Sequence, residues 1–312
     1  KYTAFELSDA FDAIGAQVNA FTGKDLTCYY AKSTSDHAKE AFSLLSELFL
    51  RSTFPEDEMA REKGVVIEEI GMDEDSPEDL CLDLLSRAAF GNDNYGRNIL
   101  GPRENVEGFT REQLFAYKKE RYCPENIVIS FAGNIEPAFA EELAEREFGA
   151  LAGEKFVERE KRIVRRTESI FRKKSIEQAH FAFGFPTVSR DSENLAAVQV
   201  MNAILGGGMS SRLFKRVREE LGLAYSVYSY TSHYKETGML TVYAGVNPKK
   251  AEDAAKAVSA VLAEFKEKGV TEEEFLRGRE TLKAILRVIA ENLDFSAAAS
   301  ACVGNLKAPL SL

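Results

Sequence analysis

Cysteine is scarce and scattered. Cys28, Cys81, Cys123 and Cys302 are the only four, and no two form a CxxC pair. That spacing gives no sign of a zinc ribbon or a redox dithiol, and free thiols suit a reducing, cytoplasmic compartment. Histidine is scarcer still. His37, His180 and His233 lie far apart, and neither HExxH nor HxxEH occurs. The chain as it stands therefore cannot assemble a three-ligand catalytic zinc site. No apolar run reaches the ~18 residues that a membrane span needs, and no signal peptide opens the chain, so no membrane partner is expected. Positive charge is in deficit: 40 Lys and Arg stand against 50 Asp and Glu, a net charge of -10. Such a chain repels phosphate backbones, which argues against nucleic acid. The basic stretches 161–166 and 172–174 read as a solvated linker. Gly206, Gly207 and Gly208, followed by Met-Ser-Ser-Arg, lack both the GK[ST] ending of a P-loop and the spacing of a dinucleotide fingerprint. A helix stop explains them. No GxSxG elbow is present.

The 312 residues are 45% hydrophobic, enough for two cores. Thr3 and Glu6 form a capping box for a first helix. Residues 17–22 and 26–32 read as a hairpin turning at Gly23 and Lys24. A helix striped by Ala38, Phe42, Leu45 and Phe49 follows. Pro55 starts an acidic helix, and Ser76-Pro77 starts another. Strands are expected over 126–132, 176–185, 224–230 and 239–246, with helices over 194–205, 249–266 and 272–291. Residues 151–175 are rich in charge and poor in apolar periodicity. They mark a boundary between domains at 1–155 and 170–312, with 156–169 as linker.

The halves resemble each other. TCYYAKSTSDHAKEAFSLLSELF, from Thr27, then an acidic helix start, parallels LTVYAGVNPKKAEDAAKAVSAVLAEF, from Leu240, then another. Ala31 matches Ala244, Ala38 matches Ala251 and Phe49 matches Leu262. The pattern indicates a duplicated α+β unit.

For chemistry, Glu62 and Glu69 are two helical turns apart and share a face. Two such carboxylates can ligate a cation and support its ligand shell. A solvated acidic surface is the commoner outcome of the same spacing. Val65, Val66 and Ile70 are expected to press this helix into the core and half-bury a glutamate. His180, on a strand, reads as a hydrogen-bonded structural residue.

Four segments in order resemble the M16 metallopeptidases, the pitrilysin, insulin-degrading enzyme and mitochondrial processing peptidase family. They are GAQVNAFTGKDLTCYY from Gly15, EMAREKGVVIEEIGMDEDSPED from Glu58, the stretch from Tyr95 to Ile135, and LGGGMSSRLFKRVREELGLAYSVYS from Leu205. The shorter bacterial, processing-peptidase-like members are the most similar. The resemblance implies an α+β fold of two homologous domains, each a mostly antiparallel sheet with helices on one face. It implies a zinc endopeptidase acting on extended peptides or unfolded polypeptides inside a closed chamber. Glu69 would be a Zn2+ ligand and Glu62 its supporting acid, while two histidines and the general-base glutamate would precede Lys1. Arg218 and Tyr225 would hold the substrate carbonyl and oxyanion. Asn19, Ala20, Phe21 and Thr22 would be an edge strand to which a peptide adds, and Gly206, Gly207 and Gly208 a wall of the chamber. Closing that chamber with two-domain chains implies a homodimer or a heterodimer with another M16 chain. A non-catalytic M16 companion subunit, supporting an active partner, is the alternative.

Overall fold

A computed structural model describes residues 2–153, 166–295 and 298–304. Its helices are α1 (Ala4–Ala13), α2 (Ala38–Leu50), α3 (Glu56–Asp75), α4 (Pro77–Phe90), α5 (Arg103–Gly108), α6 (Arg111–Arg121), α7 (Pro137–Phe148), α8 (Leu195–Leu205), α9 (Ala251–Lys268) and α10 (Glu272–Phe295). Its strands are β1 (Gln17–Thr22), β2 (Thr27–Thr34), β3 (Val128–Ala132), β4 (Ala179–Thr187), β5 (Ala224–His233), β6 (Gly238–Val246) and β7 (Ala298–Gly304). Contacts divide the chain into two units. One holds 1–67, 102–160 and 288–312, the other 68–101 and 161–287. Of the linker assigned to 156–169, residues 156–165 lie outside the described residues, as does most of the basic stretch 161–166.

The first unit is an antiparallel sheet in the order β1-β2-β7-β3. The expected capping box starts α1: the Glu6 amide donates to the Thr3 hydroxyl, and the Thr3 amide to the Glu6 carboxylate. The expected stripe of α2 faces inward, with Ala38, Phe42, Leu45 and Phe49 all buried. Phe42 meets Phe131 and Phe148 at ring distances of 4.8 and 5.8 Å, and Phe49 stacks on Tyr122 at 4.7 Å. Each such pair adds about 0.5–1.5 kcal/mol to what its burial contributes.

The passage from α2 to α3 is strained and clamped. Phe54 has φ 47°, a left-handed conformation that disfavours a bulky side chain. Arg111 holds it there. Its Nε donates to the Phe54 carbonyl at 2.9 Å and its Nη2 to the Thr53 carbonyl at 3.0 Å. The Phe54 ring packs edge-on against Phe115 at 5.2 Å. Lys63, two turns into α3, donates to the Glu107 and Phe109 carbonyls at 3.0 and 2.6 Å. Those bonds satisfy carbonyls at the end of α5.

The second unit is an antiparallel sheet in the order β4-β6-β5. Central β6 is buried at every position. Leu240, Val242, Ala244 and Val246 enter a core with Leu205, Val217, Val258 and Val261. The opposite face receives α4. A Cβ on Gly184 would lie 3.1 Å from Leu85 of α4, and Met239 clusters with Phe90 and Tyr95.

The duplication is visible in both units. In each, a hairpin's second strand (β2 or β6) leads through a short 3-10 turn, 35–37 or 248–250, into a helix that starts with alanine (α2 or α9). Ala31 and Ala244 are both buried in their strands. Cys81 and Cys123 are free thiols, whereas Cys28 is disulfide-bonded. That bond departs from the expectation of free thiols, and nothing in the cysteine spacing indicates it.

After α8, Arg212 staples the chain to the turn before α10. Its Nε and Nη2 clasp the Glu274 carboxylate at 2.7 and 2.6 Å, and Nη2 also donates to the Gly269 carbonyl. The bidentate clasp, aided by the Thr271 amide, holds the Glu274 carboxyl down at about 2, from an ordinary value near 4.5. The sign follows from the depression: this stabilisation is full above the ordinary carboxylate range and is lost as pH falls from about 4.5 through about 2.

Two expectations follow. Unfolding titrations between neutral pH and pH 2 are expected to show a smaller acid loss of stability in Glu274→Gln than in the parent chain. Replacing Arg111 by Ala is expected to lower stability by about 1–2 kcal/mol, read as a urea midpoint shift at constant slope. Arg111→Lys is expected to restore only part of it, because lysine lacks the planar fork.

Candidate functional site

Glu62 and Glu69 both lie on α3, and both are exposed. Among the described residues neither carboxylate takes a hydrogen bond or an ion pair. The expected half-burial is not met. No residue of α3 is buried, Val65 is 51% exposed, and Val66 and Ile70 are only half-buried. The reason is the density of charge: a helix reading EDEMAREKGVVIEEIGMDED cannot be desolvated without stranding carboxylates. Glu69 thus presents a free carboxylate, which fits one metal ligand. A catalytic zinc needs three protein ligands, and among the described residues no group of three His, Cys, Asp or Glu could hold a metal.

Arg218 and Tyr225 are brought together within the second unit. Arg218 lies on a π-helical segment, Phe214–Glu220, where the Leu221 amide donates to the Arg216 carbonyl five residues back, at 3.2 Å. Gly222 then takes φ 57°, a conformation glycine adopts without penalty, and the chain enters β5. The register breaks at once. Ala224 pairs with Val246 and Ser226 with Gly245, which leaves Tyr225 as the extra residue of a β-bulge. The bulge turns its ring outward, 75% exposed. The Arg218 guanidinium lies 5.6 Å from the centre of that ring and 4.8 Å from the centre of Phe214. Each contact contributes about 0.5–1 kcal/mol at an exposed site. Together they offset much of the about 2 kcal/mol of rotamer entropy that an ordered arginine loses. The Arg218 guanidinium makes no hydrogen bond or ion pair among the described residues, so its N–H donors remain available.

Both residues line a cleft of about 600 Å³ shared with Gln178, Asn247 and Lys250. The Lys250 ammonium donates to the Gly222 carbonyl at 3.3 Å. The sequence did not single out Phe214, Asn247 or Lys250. Proximity of Phe214 to Arg218, four residues on, was the available signal for the first.

Gly206, Gly207 and Gly208 differ from one another. Gly206 is buried against β5: its carbonyl accepts from the Ser229 amide at 3.0 Å, and a Cβ there would lie 2.5 Å from the Ser229 nitrogen. A Cβ on Gly207 would strike Ala203 at 2.8 Å, whereas one on Gly208 would meet open space.

Asn19, Ala20, Phe21 and Thr22 lie on β1, at one edge of the first unit's sheet. The Gly23 amide donates to the Leu26 carbonyl at 2.8 Å, which sets the phase of the hairpin. By antiparallel alternation, Phe21 and Asn19 are bonded to β2, and the amide and carbonyl of Ala20 point outward. The outward Ala20 amide is held by its neighbour, the Asn19 Oδ1, at 2.8 Å.

A further cluster joins α4 to the second sheet. The Tyr228 hydroxyl donates to Glu78, and the Tyr243 hydroxyl bonds His180 Nδ1 at 2.7 Å. Burial pushes both phenols well up, followed by the Glu78 hydrogen bond for Tyr228 and by the Glu78 charge for Tyr243. Burial lowers His180, with Glu78 opposing, and Cys81 is pushed up to about 11 by burial and then by Glu78. His180 is therefore the hydrogen-bonded structural residue that its strand position suggested.

The comparisons with known proteins agree with one another. Residues 1–103 match the family described as Insulinase (Peptidase family M16), and residues 108–282 match the Peptidase M16 inactive domain. A protein named uncharacterized zinc protease YmxG, from Bacillus subtilis, is 42% identical over 290 residues, covering 93% of this chain and 71% of that protein. An uncharacterized zinc protease of Streptomyces coelicolor is 38% identical over 89% of this chain, which spans only 62% of that relative's length. Among solved structures, the peptidase M16 inactive domain from Pseudomonas fluorescens superposes with a TM-score of 0.85 at 26% identity, covering 94% of this chain and 72% of that one. A protease from Helicobacter pylori shares the fold, with a TM-score of 0.87 at 21% identity over 95% of this chain and 73% of that one. Two family matches in tandem, together spanning most of the 312 residues, and a relative 42% identical over 93% of this chain make it a member of the M16 peptidase family.

Proposed function

We propose that this chain carries part of the metal site and the substrate-binding half of a zinc metalloendopeptidase that cleaves extended peptides or unfolded polypeptides. The observation that carries the reading is the Arg218–Tyr225 pair, an arginine with free donors held beside an outward tyrosine in one cleft. Zinc, when bound, would polarise the scissile carbonyl and lower the pKa of its water to about 7. Glu69 would supply one carboxylate ligand, and Glu62, on the same face, would support the ligand shell. The Arg218 N–H groups would bind a substrate carbonyl, and the Tyr225 hydroxyl would donate to the oxygen on which negative charge develops. The outward amide and carbonyl of Ala20 would take the peptide as an added strand once Asn19 releases the amide. Main-chain recognition of this kind selects for extended substrates more than for a sequence.

In this reading, two such chains, alike or different, close the chamber, and the enzyme works in the cytoplasm. Among the described residues no helix is long and apolar enough to cross a membrane. The companion-subunit reading draws on the description of the second matched domain as inactive.

Zinc content and peptide cleavage by the full-length protein, beside Glu69→Gln, decide between them. The peptidase reading expects about one zinc per chain and cleavage, with metal retention and turnover both reduced at least about 100-fold in the variant. A wild-type protein that neither retains zinc nor cleaves supports the companion subunit.

A further inference from the structure

The geometry points to Phe214 as a positioning residue for Arg218, the third member of a Phe214–Arg218–Tyr225 unit. The guanidinium lies 4.8 Å from the Phe214 ring and 5.6 Å from the Tyr225 ring, so an aromatic face from each side of the turn meets it. The two rings arrive by separate irregularities of the backbone. Phe214 opens the π-helical segment that carries Arg218, where the wider turn still brings residues four apart to one side. Tyr225 is the bulged residue of β5. The start of the segment is itself pinned, because the Phe214 amide donates to the Ser211 hydroxyl at 3.4 Å and Ser211 is buried. Phe214 is half-buried, so its own place is set from below.

Nearby acids do not draw Arg218 aside. Of the two that follow it, Glu220 is taken by Arg216 at 2.7 Å, and Glu219 lines the same cleft without pairing with Arg218 among the described residues. A guanidinium held through its π-faces keeps all its in-plane N–H donors unspent. That is the state a carbonyl-binding arginine needs before substrate arrives, because ordering is completed in advance. Phe214 itself does not touch substrate; it acts through Arg218.

The catalytic readout of this inference rests on the proposed peptidase reading, while its spectroscopic readout does not. In the full-length protein, the Arg218 Nε–H proton is expected to resonate upfield of an ordinary arginine because of the ring currents. Phe214→Leu is expected to move it back toward the ordinary position and lower kcat/KM by about 5- to 10-fold, whereas Phe214→Tyr is expected to retain both. In an Arg218→Ala background, Phe214→Leu is expected to add nothing further.

An Arg218 resonance unchanged by Phe214→Leu overturns the inference whether or not the protein cleaves peptides. So does a loss of activity from Phe214→Leu that persists at full size in the Arg218→Ala background, since that marks a general structural effect. If Arg218→Ala leaves cleavage intact, the proposed role of Arg218 fails, and the resonance experiment still decides whether Phe214 positions it.

Discussion

The second unit depends on the complete burial of β6. A strand buried on both faces must pair along both edges and must be covered twice. Here β4 and β5 supply the edges, the Leu205–Val217–Val258 core covers one face, and α4 covers the other. Everything near Arg218 and Tyr225 follows from that geometry. Gly245 and Val246, at the end of β6, face the break in β5 that leaves Tyr225 unpaired. Val217, fully buried under the same sheet, anchors the helical segment on which Arg218 stands. The pair is therefore held by the core, although both of its members are exposed.

The first unit solves a different problem. It ends in an edge strand, which most proteins disguise. β1 carries an exposed Phe21 and an outward Ala20 amide closed only by the amide side chain beside it. A side-chain bond to a neighbouring amide is easily exchanged for a main-chain bond of better geometry. In the proposed reading, an edge capped in that way resists casual pairing yet would admit a peptide that offers a full set of hydrogen bonds.

Much of this architecture was legible in the residues. The capping box at Thr3, the hairpin at Gly23, the stripe of α2 and the helix start at Ser76-Pro77 rest on local periodicity and capping, which survive folding unchanged. The repeat was legible for the same reason, since Ala31 and Ala244 fill equivalent close-packed positions. The α3 surface was misread because three apolar residues suggested burial, while the charge around them prevents it. The π-helical turn and the bulge at Tyr225 left no trace, because each is a one-residue adjustment imposed by packing rather than by propensity. The cluster of Glu78, Tyr228, Tyr243 and His180 was hidden because its members are far apart in sequence. The resemblance to M16 peptidases identified Arg218 and Tyr225, but spacing alone could not show that they touch.

The π-helical segment also fixes how the chain can vary. A five-residue hydrogen-bonded turn contains one residue more than an α-turn. Deleting one residue of Phe214–Glu220 would let the segment relax toward an ordinary helix, which absorbs the loss. A loss between Phe214 and Arg218 would leave the two three residues apart, still neighbours on one helix face. A loss at Glu219 or Glu220 would instead shorten the path from Arg218 to the bulged Tyr225. The connection between the arginine and the tyrosine is thus the part of this stretch whose length bears on the pair.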